Sequence, residues 1–369
     1  MQSQAKKYNN IKLTIGIIKA ILSFIILFLF VWLGYSSKLE NYVRTYSPND
    51  YFVLLAYVFT IGIVSSIIFF PVSYYTEFYL EHKYNLSNQT FWKWIWENAK
   101  ETLVGSAIGI PLLLIFFFIL STFENTWWLP FGIIMFIVSV LLAKILLIFI
   151  LPLFYKVTPI EDANLKERII KLGKEAGMNV ENVFKFNMSK NTKKANAAFT
   201  GLGKTKRILL GDTLLDNYSH DEIETVIAHE LGHYKKKHII KNLVIGTFFS
   251  FATFYFIAEL YSLTLRYFGF SSITDISALP LIVLWGSLIG LIISPISNLI
   301  SRKFEYEADH YAVTSTNKKE AFVATLNKLT DQNLGDREPH PLVEWFFYSH
   351  PSIQKRTAAI EGAATPLQN

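Results

Sequence analysis

Long apolar runs alternate with polar stretches along the 369 residues of the chain. A bilayer core of about 30 Å requires roughly 20 apolar residues of helix. Six runs approach or exceed that length: Ile11 to Gly34, Tyr51 to Leu80, Leu103 to Leu120, Trp127 to Tyr155, Ile239 to Leu263 and Leu279 to Ile300. Any one of them alone fits a buried core helix; six together require a membrane. Pro71 lies inside the second run and, having no backbone donor, predicts a kink there. The first run is longer than the apolar part of a signal peptide and lacks a small-residue cleavage site, so it reads as an uncleaved anchor.

Two long polar stretches, 156–238 and 301–369, flank the hairpin of the last two runs (239–300), while residues 1–155 carry the first four. The stretch 156–238 mixes two periodicities. Asn164 to Ala176 has helical spacing and stops at Gly177, whereas Val183 to Phe186, Ala195 to Phe199 and Arg207 to Leu210 read as short strands. Gly201 and Gly203 mark a turn between the last two. Ser219, with Glu222 three residues on, forms a capping box that starts another helix. The expected fold is mainly α: a polytopic membrane helical bundle or barrel of about six spans, with an aqueous α+β domain split in sequence.

Composition supports this. Hydrophobic residues make up 51% and charged residues 17%, against roughly 25% charged in soluble domains. Cysteine is absent, which excludes disulfide scaffolds, thiolate zinc fingers, iron–sulfur clusters and cysteine nucleophiles. Any metal must be held by His, Asp or Glu. With the N-terminus inside, the outer loops hold three Lys and Arg and the inner segments 29. That bias places both termini and both polar stretches in the cytoplasm. The net charge of +6 is spread over those segments without a nucleic-acid reader motif, so attraction to anionic headgroups is its simplest meaning. Phe91-Trp92-Lys93-Trp94-Ile95-Trp96 reads as an interfacial aromatic belt.

The capped helix contains His229-Glu230-Leu231-Gly232-His233. Two His residues four apart on a helix stand one turn apart on one face, so both imidazoles reach a single Zn²⁺. Glu230 between them is placed as general base for the attacking water. Ile223, Val226 and Ile227 precede the motif and anchor the helix on a core. A catalytic zinc takes three protein ligands. The third is expected just beyond the sixth run, where Glu305 and Asp309 again share one helical face. One would bind metal and the other orient a ligating His; spacing alone leaves open which. Glu307 falls off that face and reads as a solvated charge, and His310 reads as structural.

Four separated segments then carry a resemblance: His229 to His233, Asn298 to Asp309, Asn196-Ala197-Ala198-Phe199, and Tyr348-Ser349-His350-Pro351 with Arg356. Together they resemble the type I CAAX prenyl protease family of integral-membrane zinc metalloendopeptidases. The similarity starts near Pro71-Val72-Ser73-Tyr74-Tyr75, passes through Glu81-His82-Lys83-Tyr84-Asn85, and reaches the C-terminus. It implies Glu305 as third ligand of one Zn²⁺ and Asp309 as the carboxylate behind the ligands. It implies that Asn196 and Ala197 lie on an edge strand pairing with an extended substrate. It also places His350 and Arg356 by the active site, His350 to stabilise the oxyanion and Arg356 to hold the carboxylates, with Asn298 hydrogen-bonding nearby. The family's membrane helices enclose a water-filled chamber. Eukaryotic members have an additional N-terminal membrane helix and a long charged insertion before the metal helix, both expected to be missing here. Short loops and high Lys and Asn look like a bacterial member in the inner membrane.

The implied function is hydrolysis of peptide bonds near the C-terminus of peptides or membrane-associated proteins, prenylated CAAX-type substrates among them. The partners are then such a substrate, lipidated or not, and the bilayer, with no nucleic acid. A protease cutting within the bilayer would bury its metal motif in a span, but Asp221, Glu222 and Glu224 before it and Lys235 to Lys237 after it hold this one in water. A heat-shock-type quality-control metalloprotease shares the two metal motifs but not so much N-terminal membrane sequence. A transporter with an incidental zinc site would hold ionisable groups in its spans; only Lys19, Glu77, Lys144 and Glu259 lie there. The intact Glu230 opposes a non-catalytic binding or chaperone role.

Overall fold

A computed structural model describes residues 3–145, 149–178, 180, 182–200 and 207–362. The chain opens with α1 (Gln4–Trp32), a short polar helix α2 (Tyr35–Arg44), α3 (Asp50–Lys83), α4 (Phe91–Phe123) and α5 (Trp128–Ile145). Among the described residues, five helices are long and apolar enough to cross a membrane: α1, α3, α4, and two later ones at His238–Thr264 and Leu279–Thr316. The fourth expected run appears as α5 and a single turn at Leu151–Phe154, with 146–148 between them outside the described residues. Helix α3 runs through Pro71 and turns π-helical over Tyr74–Tyr79, a wider turn of the kind that absorbs a fault in the hydrogen-bond ladder.

These helices do not fill a solid bundle. In its most apolar stretch α1 has 6% of residues buried, and α3 and α4 have 17%. Lipid accounts for one exposed face; so little burial means that the inner faces are unpacked too, and the helices stand around a chamber. At one end α2 closes the wall: Ser36 hydrogen-bonds the Tyr57 hydroxyl and the Ser277 carbonyl, both at 2.5 Å. The other end carries the aqueous domain.

That domain holds a four-stranded sheet of β1 (Val157–Pro159), β2 (Val183–Phe186), β3 (Ala197–Thr200) and β4 (Arg207–Gly211), in the order β1-β2-β4-β3. β2 and β4 are parallel; the other two pairs are antiparallel, with Ala197 opposite Leu210. The expected strands are present, joined by the three-residue β1, which sequence reading missed. β3 begins later than Ala195 because the Ala195 N–H donates to Asn333 Oδ1 at 2.9 Å. The turn expected at Gly201 and Gly203 lies outside the described residues. Helix α6 (Ala163–Glu175), capped by Asp162, and α7 (Asp212–Asn217) flank the sheet.

Helix α8 (His220–Lys235) lies beneath it. Its Ile223, Ile227 and Leu231 join Leu165 and Ile169 of α6 and Ile208 and Leu210 of β4 in one core. After α8 the chain re-enters the wall as α9 (His238–Thr264) and returns as α10 (Leu279–Thr316). At 38 residues, α10 passes from wall into domain without a break, across residue 301. Helices α11 (Lys319–Gln332), α12 (Pro341–Phe347) and α13 (Ile353–Gly362) complete the domain. Phe322, Leu326, Ile353 and Ile360 pack there against Ala228 and Ala312.

Candidate metal centre

The Ser219 side chain accepts from the Glu222 N–H and the Glu222 carboxylate answers the Ser219 N–H, so α8 starts with the expected capping box. Asp221 and Glu222 in its first turn suit the positive end of the helix dipole. Its apolar stripe fixes the roll of the helix, and His229 and His233 then face α10. Gly232 sets the depth of approach. A Cβ there would lie 2.9 Å from the Cα of Ala308 and 3.0 Å from its carbonyl oxygen. Only a glycine against a small residue lets α8 and α10 cross this closely, and the crossing brings Glu305 to the two histidines.

The Nε2 atoms of His229 and His233 are 3.2 Å apart. Glu305 oxygens lie 3.4 Å from the first and 3.3 Å from the second. Ligand atoms about 2.0–2.1 Å from one tetrahedral centre stand about 3.3 Å from each other, so the triangle has the dimensions of a zinc site. Glu305 is 4% exposed and His229 8%. Burial disfavours a charged imidazole at His229, but hydrogen bonds to the Asp309 and Glu305 carboxylates outweigh it and hold the pKa up at about 9. The buried carboxylates of Glu305 and Asp309 beside the two imidazoles supply negative charge that suits a dication.

Behind the triangle, His229 Nδ1 is 2.8 Å from Asp309 Oδ1. Arg356 of α13 grips Asp309 with two prongs, Nε to Oδ2 at 2.8 Å and a terminal nitrogen to Oδ1 at 2.5 Å. His350 Nδ1 stands 2.9 Å from Glu305 Oε2, the oxygen that also faces His229 Nε2 at 3.4 Å, and its side chain is 64% exposed. Glu230 is half-buried and has no hydrogen bond or ion pair among the described residues.

Asn196 is exposed and Ala197 opens β3, which among the described residues has only β4 beside it in the sheet and packs on α8. The segment before β3 is held on several sides. Lys194 Nζ reaches Glu81 Oε2 of α3 at 2.9 Å, and Glu81 also receives Tyr8 and Lys12 of α1. The Lys194 carbonyl accepts from the Thr213 hydroxyl at 2.8 Å. Asn298 does not reach the triangle; its side chain donates to the Phe346 carbonyl at 2.8 Å. Arg302 donates to the Glu344 and Tyr348 carbonyls at 3.0 and 2.6 Å, so it and Asn298 pin the segment that delivers His350. Sequence reading missed Arg302, whose only signal is a charge within the segment that joins wall to domain. His310 is exposed.

Glu307 requires a correction. It is not a solvated charge: its Oε2 is 3.0 Å from His238 Nε2 and 3.6 Å from Lys241 Nζ. It does lie off the metal-facing side of α10, as the spacing indicates, but α9 packs along that other side and brings His238 to it.

Residues 159–364 match the model of peptidase family M48, and residues 2–156 match that of the CAAX prenyl protease N-terminal region, described as five membrane helices. An uncharacterised metalloprotease of Bacillus subtilis, YhfN, is 31% identical over 360 residues, which span 95% of this chain and 83% of that one. The CAAX prenyl protease 1 of Saccharomyces cerevisiae is 32% identical over 334 residues, spanning 85% and 73%. Among solved structures, that of S. mikatae Ste24p superposes with a TM-score of 0.87 at 29% identity, covering 97% of this chain and 88% of that one.

Proposed function

The chain belongs to peptidase family M48, and on that premise we propose that His229, His233 and Glu305 hold one catalytic Zn²⁺ for cleavage near the C-terminus of a peptide or membrane-associated protein. The observation that carries the reading is the triangle of three ligand atoms, with His229 and Glu305 buried and Glu230 next to His229 on the same helix. When bound, the metal supplies a Lewis acid for the scissile carbonyl and a nucleophile at neutral pH.

Glu230 takes the proton of the attacking water and passes it to the leaving amine. Asp309, fixed by Arg356, orients His229. His350, its side chain largely exposed, turns from Glu305 and donates to the oxyanion. The free edge of β3 at Asn196 and Ala197 pairs with the extended substrate backbone and sets its register. Asn298 acts on the substrate through Phe346, by holding the segment that carries His350. The Lys and Arg bias puts this end of the molecule in the cytoplasm, and the likeness to YhfN supports a bacterial inner membrane. The names of the yeast and plant relatives support CAAX-type peptides as substrates, prenylated ones included.

The test incubates wild type and Glu230→Gln with a prenylated and an unprenylated CAAX peptide, with and without phenanthroline, and maps products by mass spectrometry. Glu230→Gln is expected to keep zinc and to lose at least about 100-fold in rate, the lower end of general acid–base effects. Phenanthroline is expected to stop the wild type. Full turnover by the zinc-loaded variant would sink the assignment, and equal cutting of both peptides would show that the prenyl group is not read.

A further inference from the structure

Both imidazoles of the triangle have their remote nitrogen engaged, by different routes. His229 Nδ1 meets Asp309 directly at 2.8 Å. His233 Nδ1 instead lies 2.9 Å from Nδ1 of His238, and His238 Nε2 lies 3.0 Å from Glu307 Oε2. His238 is 1% exposed, and its ring stacks on Phe304 at 4.2 Å between centroids with 8° between planes. Lys241 Nζ stands 3.6 Å from Glu307 and 5.2 Å above the same Phe304 ring. A buried histidine held this closely on both nitrogens has no part in the peptidase chemistry described above.

The direction of each hydrogen bond follows from the end of the chain of contacts. An ionised carboxylate only accepts, so Glu307 takes its hydrogen bond from Nε2–H of His238. A neutral imidazole protonated on Nε2 has its lone pair on Nδ1. His238 Nδ1 therefore accepts from Nδ1–H of His233, which leaves the lone pair of His233 on Nε2, the atom that faces His229 and Glu305. We infer that His238 and Glu307 are positioning residues that fix the tautomer and ring orientation of His233 for metal binding, a two-step counterpart of Asp309 behind His229. The inference rests on His233 being a ligand, as proposed above. Carboxylates and carbonyls behind ligating histidines commonly play this part; here a second histidine spans the distance that Glu307, on the far side of α10, does not.

The experiment uses the full-length chain in detergent. Zinc affinity is read by competition with a chromophoric chelator, and Co²⁺ loading gives an absorption spectrum of the ligand field. His238→Phe keeps the stack on Phe304 but has no ring nitrogen; Glu307→Leu removes the acceptor and Glu307→Gln retains one. His238→Phe and Glu307→Leu are expected to weaken zinc binding by about 10–100-fold, the usual range for such partners, and to shift the Co²⁺ spectrum. Glu307→Gln is expected to keep most of the affinity. Wild-type affinity and spectrum in His238→Phe, or equal weakening in both Glu307 variants, overturns the inference. If His238→Phe fails to fold, the two Glu307 variants decide alone. His233→Ala separates the premise: zinc bound as tightly there as in wild type refutes His233 as a ligand rather than the relay.

Discussion

In the membrane wall, a Cβ built on Gly16, Gly62, Gly105 or Gly246 meets nothing within 4 Å; on Gly232, in the aqueous domain, it presses on Ala308 at 2.9 Å. The first set sits on helices that bury little and face lipid or chamber. The second lies where α8 and α10 cross over the metal ligands. One contact resembles the domain within the wall, Gly132 of α5 against the Phe251 ring of α9 at 2.8 Å, but there a side chain is able to give way, whereas at Gly232 the obstacle is backbone. Along most of its length the wall thus needs apolar residues more than particular ones, with specific contacts at Gly132 and at the end closed by Ser36, while the domain needs particular side chains at particular distances.

The sharpest break of this contrast is Gly232→Val. Overpacking a close helix contact costs about 1–3 kcal/mol, and the same displacement pulls Glu305 from the two Nε2 atoms. Zinc content and cleavage are both expected to fall below detection, with a lowered unfolding temperature. A Gly232→Val protein that binds zinc normally would show that the crossing does not set the triangle.

A milder intervention acts where wall and domain meet. Lys194→Met removes the charged contact from the segment before β3 to Glu81 while keeping the aliphatic stem. Because Thr213 and Asn333 still hold the backbone there, the domain is expected to stay folded and β3 to become less well aimed. The expected outcome is KM raised about 10-fold, the equivalent of about 1.4 kcal/mol, with a smaller change in kcat. Equal effects on both constants would argue that the contact serves the metal site instead of the substrate edge.

The same contrast explains what was legible in the sequence. Wall helices are recognised by the run length of apolar residues, and the metal motif by a spacing of four on one helix; both are local. Glu305 and Asp309 were legible as a pair for the same reason, and their geometry then distinguishes them: Glu305 faces both Nε2 atoms, and Asp309 faces Nδ1 of His229. Helix α2, polar and ten residues long, has no apolar run to announce it. Strand β1 is three residues ending in Pro159, too short to show a period. The pairing of His238 with Glu307 was illegible because it depends on which side of α10 receives α9. In sequence the two residues are 69 apart, and a break at Lys237, with φ +57°, separates His238 from the metal helix.

The smallest expected effect sharpens the contrast from the other side. Gly62→Ala in α3 and Gly246→Ala in α9 add a methyl group that meets no atom within 4 Å, and both positions are exposed to lipid or chamber. Alanine is favoured over glycine within a helix by up to about 1 kcal/mol, so neither variant should unfold at a lower temperature. Zinc affinity and kcat/KM should equal those of the wild type, because neither helix presents these positions to α8 or α10. A loss of activity at Gly62 with unfolding unchanged would mean that the chamber face of α3 contacts substrate. The wall would then carry specificity as well as shape, and the division drawn between the two regions would have to be moved to the chamber surface.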